Sequence, residues 1–437
     1  MDTAIVVFTR DLRLHDNPAL HQACARARHV VPVFVADPAI PAPPNRARFL
    51  AESLSDLRRS LRERGADLVI RPGDPAAEVI TLAREVAAQA VYIAADVSRY
   101  AARRHAKLDR ECARHRLDLV VTPGPAVVSP DALEPAGGGR YRVFTPYWRA
   151  WRAARWRPHH PVPVAIAMPP VGRTGRIPPA GHGASPDLAP GGETEGRQRF
   201  VRWRKEWLED YAANHDDLAG DQTSRLSAYL RFGCVSPLEV AIGARDRPGG
   251  EEFCRQLAWR DFFYQVTAGF PDMASQNYRP GPGPAWPAEG AAGALDAWRA
   301  GRTGIPIVDA GLRQLAREGF MHNRARLITA SFLTRNLGVD WRLGYRHFAG
   351  LLADGDVANN AGNWQWVAGT GNNTRPNRIM NPLRQARRFD PAGDYVRRYV
   401  PELAGLDPAR VHTPWTLDAA QRRQLGYPAP ITELAGP

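Results

Sequence analysis

Five short apolar runs near the N-terminus constrain the fold of this 437-residue chain more than any other feature. Charged, alanine-rich segments of helical length separate them, for example residues 47–64 and 99–116. Such alternation is typical of a parallel sheet with helices on both faces. The runs are Ala4–Phe8, His29–Val35, Asp67–Ile70, Ala90–Ala94 and Leu117–Val121. The sequence therefore predicts an N-terminal α/β domain built on a five-stranded parallel, Rossmann-like sheet.

The composition changes after this region, where prolines and glycines become frequent between about residues 155 and 197. This stretch predicts a surface connector with little regular structure. Strand patterns then fade, while residues 308–315 show apolar positions at helical spacing and residues 327–333 predict a buried helix. We expect three segments: an α/β domain at 1–130, a Pro/Gly-rich linker at 131–197, and a larger all-α domain at 198–437.

Several common catalytic motifs are missing from the sequence. The first apolar run is followed by Thr9-Arg-Asp-Leu-Arg-Leu-His-Asp-Asn17 rather than by G-x-G-x-x-G, which argues against a dinucleotide-dependent dehydrogenase. Neither the phosphate-binding motif G-x-x-x-x-G-K-[ST] nor the nucleophile elbow G-x-S-x-G occurs. The histidines lack the spacing of metal ligands, so we expect no metal site.

The chain is strongly basic, with 58 lysine and arginine residues against 45 aspartate and glutamate residues and a formal net charge of +13. Lys107 and Lys205 are the two lysines, and every other cation is an arginine. This surplus favours a polyanionic partner, because neutralised phosphates release counterions. Arginine also donates paired hydrogen bonds to phosphate and stacks on bases. A basic enzyme without such a partner, or a biased genome composition, is the alternative explanation.

The sequence carries no sign of export or of membrane insertion. No run of about 18 apolar residues occurs, and the N-terminus begins like a strand rather than like a signal peptide. The four cysteines are scattered without a C-x-x-C pair, which argues against a zinc site or a disulfide framework. We expect a cytoplasmic protein.

Residues Asp354–Trp366 combine two carboxylates, three asparagines and two tryptophans with little aliphatic filler. A core helix would carry apolar residues at positions i, i+3, i+4 and i+7, and here these positions are largely polar. Carboxamides and indole faces suit a planar heteroaromatic ligand with polar edges. The segment therefore predicts a ligand-lining wall, and the alternative is a solvated loop closed by two core tryptophans.

Two shorter segments leave a functional and a structural interpretation open. Thr223-Ser-Arg-Leu-Ser227 suits a phosphate, because hydroxyls and free amides at a helix start attract anions, although an ordinary N-cap has the same composition. Trp259-Arg-Asp-Phe-Phe-Tyr264 is aromatic and basic, and is either core or a stacking platform. The tryptophans at 286, 341 and 364 are typical core residues unless a redox cofactor lies near them.

Taken together, these motifs resemble those of the cryptochrome/photolyase family, and most closely the bacterial class I DNA photolyases that act on cyclobutane pyrimidine dimers. The similarity extends over nearly the whole chain. It rests on Thr9–Pro18, Thr223–Ser227, Trp259–Asp261, Gly304–Ala310, Met321–Arg324, Asp340–Arg342 and Asp354–Trp366. Each motif alone is weak, and their order and spacing make the combination specific.

The resemblance implies an FAD cofactor inside the helical domain. It assigns the phosphates to Tyr211 and to Thr223, Ser224, Arg225, Leu226 and Ser227. It assigns the isoalloxazine and ribityl side to Asn323, Arg326, Asp354 and Asp356, with Asn360 beside flavin N5. It also implies an electron-transfer chain of Trp364, Trp341 and Trp286, although the Pro/Gly-rich sequence before Trp286 makes the outermost position uncertain.

The resemblance further implies that the partner is UV-damaged DNA, with the lesion flipped out of the duplex. Trp259 and Trp366 would stack on the lesion. Contacts to its edges or to nearby phosphates are implied for Gln256, Arg260, Asn323 and Arg324. A monomer without an obligate protein partner is expected, and a cryptochrome-like FAD photoreceptor without repair activity is the alternative.

Four positions depart from the family pattern. Gln256 replaces a common glutamate, and its amide still donates and accepts hydrogen bonds, so slower repair is expected. Phe320 replaces a tryptophan, Leu327 a frequent methionine and His215 a frequent arginine, which puts one DNA phosphate contact in doubt.

The family also implies an antenna chromophore in the N-terminal domain. The Asn-Glu pair that some relatives use for a folate is not apparent near Tyr100. The alternatives are a deazaflavin, a folate, a second flavin or no antenna.

Overall fold

The computed structural model describes residues 1–280, 286, 291–376 and 378–434. The strands in these ranges are β1 (Thr3–Phe8), β2 (His29–Ala36), β3 (Val69–Pro72), β4 (Ala90–Ala94) and β5 (Asp118–Thr122). The helices are α1 (Pro18–Arg26), α2 (Pro44–Arg62), α3 (Pro75–Glu85), α4 (Arg99–Arg114), α5 (Phe144–Ala153), α6 (Glu193–Glu206), α7 (Tyr211–Asn214), α8 (Ser227–Phe232), α9 (Pro237–Arg245), α10 (Gly250–Gly269), α11 (Ala291–Arg299), α12 (Pro306–Glu318), α13 (Asn323–Ser331), α14 (Trp341–Leu351), α15 (Val357–Ala368), α16 (Pro382–Phe389), α17 (Asp394–Tyr399) and α18 (Ala419–Leu425).

The five predicted strands form one parallel sheet in the order β3-β2-β1-β4-β5. The central strand β1 is buried along its whole length, as expected for a sheet covered on both faces. In its register, Val6 of β1 lies opposite Pro32 on one side and Tyr92 on the other. The prediction of an α/β domain followed by a helical region is confirmed.

Several helices of this region begin with signals that are readable in the sequence. The Asn17 side chain accepts a hydrogen bond from the Leu20 N–H at 3.0 Å, and Asp74 caps α3 in the same way. Proline occupies the first position of both helices, where its fixed φ suits the turn and no N–H is needed. These caps fix the residue at which each helix begins.

The chain folds into two compact units, each assembled from separate stretches of the sequence. Unit 1 comprises Met1–Ala184, Ala189–Glu209 and Ser224–Asp272. It therefore contains the sheet and also α6, α8, α9 and α10. Unit 2 comprises Ser185–Leu188, Asp210–Thr223 and Met273–Pro437 and is helical where the structure describes it. The domain boundaries at 130 and 197 stay a prediction, because units of interleaved stretches do not test where a domain begins along the sequence.

The connector between α5 and α6 contains neither helix nor strand over residues 154–192. Its residues up to 184 belong to unit 1, and their carbonyls act as acceptors there: Val30 N donates to Ala167 O at 2.8 Å, and Ile70 N donates to Thr174 O at 2.7 Å. The irregular stretch ends at Glu193, where α6 begins, a few residues before the predicted end at 197. Backbone pairing rather than regular structure holds this segment.

Unit 2 is built around a core cluster that includes Trp298, Trp341 and Trp364. The amphipathic pattern at 308–315 lies within α12, and the buried segment at 327–333 lies in α13 and the π-helical turn Phe332–Asn336 that continues it. A π-helical turn interrupts regular i to i−4 bonding and occurs frequently at functional sites. No helix among the described residues is long and apolar enough to cross a membrane.

Candidate functional site

The segment Asp354–Trp366 forms most of helix α15 rather than a loop. The Asp356 side chain caps the helix by accepting from the Asn359 backbone N–H at 2.9 Å and from Asn359 Nδ2 at 3.0 Å. Asp354 and Asp356 are both buried, with 9% and 8% of their surfaces exposed. The alternative of a solvated loop is therefore wrong.

Helix α15 presents a polar stripe on its half-exposed side. Asn359, Asn360, Asn363 and Trp366 recur at helical spacing and are partly exposed, whereas Trp364 and Gln365 on the other side are buried. The carboxamides are oriented by backbone carbonyls: Asn360 Nδ2 donates to Tyr345 O at 3.3 Å, and Asn363 Nδ2 donates to Asn359 O at 2.8 Å. Their side-chain oxygens can still accept from a ligand.

Arg326 and Asp354 form a two-pronged ion pair beside this helix. Arg326 Nη1 and Nη2 donate to the two carboxylate oxygens at 3.1 and 2.7 Å, and Arg326 Nε donates to Met321 O at 2.8 Å. The Asp354 side chain is 6% exposed and that of Arg326 is 24% exposed. The structure thus brings together two predicted cofactor residues, each as the partner of the other.

The start of α13 carries the other predicted contacts of this region. His322 caps the helix through Nδ1, which accepts from Arg324 N at 3.2 Å, and Asn323 is exposed. Arg324 makes a two-pronged ion pair with Asp216 at 3.1 and 2.6 Å and lies over the ring of Phe389. The DNA contact predicted for Arg324 thus belongs to a side chain that already has a carboxylate partner.

Trp364 is 2% exposed and packs among aromatic rings of unit 2. Its ring centroid lies 4.9 Å from that of Phe348 and 6.1 Å from that of Trp298. A Cβ atom on Gly344 would overlap the six-membered ring of Trp364, so only glycine allows this approach. Within the described part of the chain, Trp364 Nε1 is buried without a hydrogen-bond acceptor.

The two outer tryptophans of the predicted chain have different surroundings. Trp341 is fully buried, and its Nε1 donates to Asn277 Oδ1 at 3.0 Å. Trp286 is half-buried against the core cluster of unit 2, but its neighbours 281–285 and 287–290 lie outside the described residues. Trp298, which the sequence reasoning did not single out, is the tryptophan whose ring contacts Trp364; nothing in its local sequence distinguishes it from other core tryptophans.

The predicted phosphate-binding residues fall on both sides of the division between the units. Tyr211 and Thr223 belong to unit 2, where Tyr211 is buried and burial raises the pKa of its hydroxyl. Ser224–Ser227 belong to unit 1 and lead into α8. Arg225 has a positive φ of 50°, unusual for a residue with a side chain, and Ser227 Oγ is buried with no hydrogen-bond partner among the described residues.

Helix α10 of unit 1 carries the predicted DNA contacts 256, 259 and 260. Gln256 is exposed and Trp259 is half-buried. Arg260 is held inside unit 1: Nη2 donates to Leu230 O at 3.0 Å, Nη1 donates to Pro125 O, and the guanidinium lies 4.6 Å from the ring centroid of Tyr264. Arg260 therefore has partners within unit 1, and a stacking role for Trp259 stays a prediction.

Asp261 on the same helix is a buried carboxylate with three donors. Its Oδ2 accepts from Trp151 Nε1 at 2.9 Å, from Val127 N at 2.9 Å and from Val128 N at 3.1 Å. Desolvation by burial raises the pKa of Asp261 to about 6, against the opposing effect of the nearby Arg260 charge. This carboxylate fixes α5 and residues 127–128 onto α10.

The structure is that of a two-part protein, in which a Rossmann-like sheet is joined in one chain to a helical region with buried tryptophans and a carboxamide stripe. Comparison with known families makes the class specific. Residues 4–167 match the family described as DNA photolyase, and residues 253–436 match the family described as FAD binding domain of DNA photolyase. The chain belongs to the DNA photolyase family, and its second part is an FAD-binding domain of that family.

Relatives with the same architecture match almost end to end. The deoxyribodipyrimidine photo-lyase of Streptomyces griseus is 48% identical over 449 residues, covering 100% of this chain and 97% of the relative. A cryptochrome DASH of Gloeobacter violaceus is 36% identical and covers 99% of this chain and 93% of its own length. The crystal structure of a bacterial class III photolyase from Agrobacterium tumefaciens superposes with a TM-score of 0.93 at 32% identity, covering 99% of this chain and 95% of that one.

Proposed function

We propose that this protein is a deoxyribodipyrimidine photo-lyase, which uses blue light and reduced FAD to split cyclobutane pyrimidine dimers in DNA. The observation that carries the proposal is the stripe of Asn359, Asn360, Asn363 and Trp366 on α15, next to the Arg326–Asp354 pair. Such a surface suits a flat ring system with polar edges. The 48% identity to the Streptomyces griseus enzyme over the full length supports it.

The residues of unit 2 fit a flavin on chemical grounds. Three carboxamides can each donate and accept, which matches the alternating donors and acceptors of an isoalloxazine edge. Asp354 and Arg326 would orient the polar edge, and Asn360 would lie near flavin N5. Reduced FAD supplies the electron that opens the cyclobutane ring when light excites it.

The other assignments of the proposal concern DNA. Gln256 and Asn323 are exposed, and Trp259 and Trp366 keep accessible ring surface, so each is available to a flipped lesion. A net charge of +13 favours association with the phosphate backbone. The proposal includes a monomer acting in the cytoplasm, and it leaves the antenna chromophore open among a deazaflavin, a folate and a second flavin.

With reduced FAD bound, repair should require light. Purified protein with chemically reduced FAD is incubated with an ultraviolet-irradiated thymine oligonucleotide, in blue light and in darkness. Chromatography of the oligonucleotide measures the loss of dimers, which is expected in the illuminated sample and not in the dark one. Dimers that persist in the illuminated sample, or that disappear equally in darkness, would exclude this function.

Replacing Asn360 with aspartate should lower the reduction potential of bound FAD. A carboxylate at this position would disfavour the negatively charged reduced flavin, by on the order of 60 mV, which is a tenfold change in a one-electron equilibrium. Redox titration followed by flavin absorbance measures the shift. Asn363→Asp, one turn further along the same stripe, is the matched control. An equal shift in both variants would contradict the placement of Asn360 beside N5.

The second candidate function is a cryptochrome-like photoreceptor that binds FAD without repair. The similarity to a cryptochrome DASH at 36% identity favours keeping it, as does Gln256 in place of the common glutamate. The two functions differ on a duplex with a single dimer. A photoreceptor would be photoreduced by blue light yet leave the dimer intact even when FAD is fully reduced beforehand.

A further inference from the structure

Trp259 of α10 has one face of its indole covered by another aromatic ring. The ring of Phe144 lies parallel to it, with 3.6 Å between centroids and 7° between planes. Phe144 is 5% exposed, while Trp259 is half-buried. Both residues belong to unit 1. Since Phe144 occupies one face, a ligand that stacks on Trp259 must use the other.

This arrangement is imposed by the surrounding fold. Free aromatic pairs prefer edge-to-face or offset geometry over a parallel sandwich. The ring of Phe262 lies nearly perpendicular to both rings, at 85° to Phe144 and 89° to Trp259. Phe144 begins α5, and the Trp151 indole of that helix donates to Asp261 of α10 at 2.9 Å, which ties the two helices together. Contacts within unit 1 therefore set the plane of the Trp259 indole.

We propose that Phe144 is a positioning residue for lesion recognition, which holds the indole of Trp259 in the plane that a flipped pyrimidine dimer stacks against. This inference rests on the proposed function. A side chain that is already ordered loses no rotamer freedom on binding, so the ring behind Trp259 favours the stacked complex. Phe144 touches neither DNA nor FAD and acts through Trp259. Undamaged duplex, in which no base is flipped, gains nothing from it.

Phe144→Leu should weaken binding to dimer-containing DNA without affecting other properties. Affinities of the FAD-loaded protein for a duplex with one dimer and for the undamaged duplex are measured in darkness by fluorescence anisotropy. The dimer affinity is expected to fall about 3- to 10-fold, the range of an aromatic pair contact, while the undamaged affinity stays unchanged. At saturating enzyme the repair per absorbed photon should equal that of the wild type.

Two further variants separate positioning from general packing. Phe144→Tyr keeps the ring and should restore dimer affinity to within about twofold. Phe253 lies in α10, the helix of Trp259, and its ring packs against Trp203 at 4.5 Å. Phe253→Leu should leave the ratio of dimer to undamaged affinity unchanged. Phe144→Met, whose flexible side chain fills gaps, replaces Phe144→Leu if the latter does not fold.

The possible outcomes distinguish a failure of the proposed function from a failure of the role proposed for Phe144. A wild-type protein without preference for dimers would remove the proposed function, and the role of Phe144 with it. A wild-type preference that Phe144→Leu retains in full would overturn the inference alone. The inference is also overturned if Phe144→Leu weakens both duplexes equally, or if Phe253→Leu reduces the ratio as much.

Discussion

Replacing Trp364 with phenylalanine is expected to slow the photoreduction of oxidised FAD at least roughly tenfold, equivalent to ~1.4 kcal/mol in the barrier. Phenylalanine fills most of the same space but is much harder to oxidise than indole. The site tolerates the smaller ring, since Trp364 is packed by Phe348, Trp298 and Gly344 rather than by a hydrogen bond from its Nε1. Repair by enzyme that has been reduced chemically should stay nearly intact. Absorbance during blue illumination measures the first rate, and dimer loss measures the second.

Two companion variants test the path of the electron beyond Trp364. The family resemblance names Trp341 as the next donor, while the ring of Trp298, another tryptophan, lies 6.1 Å from that of Trp364. If the path runs through Trp341, Trp341→Phe slows photoreduction and Trp298→Phe does not. The reverse result would reassign the second step to Trp298. Equal loss of photoreduction and of repair in Trp364→Phe would mean that the residue supports the site as a whole.

The N-terminal fold could be predicted from the sequence because each strand is a local signal. The runs Ala4–Phe8 and Ala90–Ala94 are apolar at every position, as strands buried on both faces must be, and both lie within one residue of the observed strands. The order of the strands is a different matter. Pairing of β1 with β4 joins segments more than 80 residues apart, and no local pattern specifies it.

The candidate site was predictable as a set of residue types and unpredictable as a set of partners. The polar stripe on α15 follows from the spacing of 359, 360, 363 and 366, which the 3.6-residue period places on one face. The partner of Arg324 is Asp216, 108 residues earlier, and nothing near either residue indicates the other. Phe144 was missed for the same reason: its importance comes from the approach of α5 to α10, which only the tertiary fold creates.

Removing the charge of Arg326 is expected to destabilise the protein and to release its cofactor. In Arg326→Gln the Asp354 carboxylate, 6% exposed, would lose the cation that holds both of its oxygens. Breaking a buried pair from one side leaves an uncompensated charge, and about 2–4 kcal/mol is expected here because a quarter of the arginine side chain reaches solvent. Urea unfolding followed by circular dichroism measures the loss, and the ratio of flavin to protein absorbance measures FAD retention.

Two controls separate the structural role of this pair from its role toward the cofactor. Asp296 and Arg299 form an exposed ion pair, with 73% of the aspartate side chain and 41% of the arginine side chain exposed. Asp296→Asn removes this pair and should change stability by less than about 0.5 kcal/mol. The double variant Arg326→Met, Asp354→Leu replaces both charges with apolar groups and should recover most of the stability, since neither ion is left alone. Its FAD content should stay low, because the carboxylate and guanidinium that would orient the flavin are gone. Recovery of FAD together with stability would show that the pair serves the fold alone, and an effect of Arg326→Gln no larger than that of Asp296→Asn would contradict its burial.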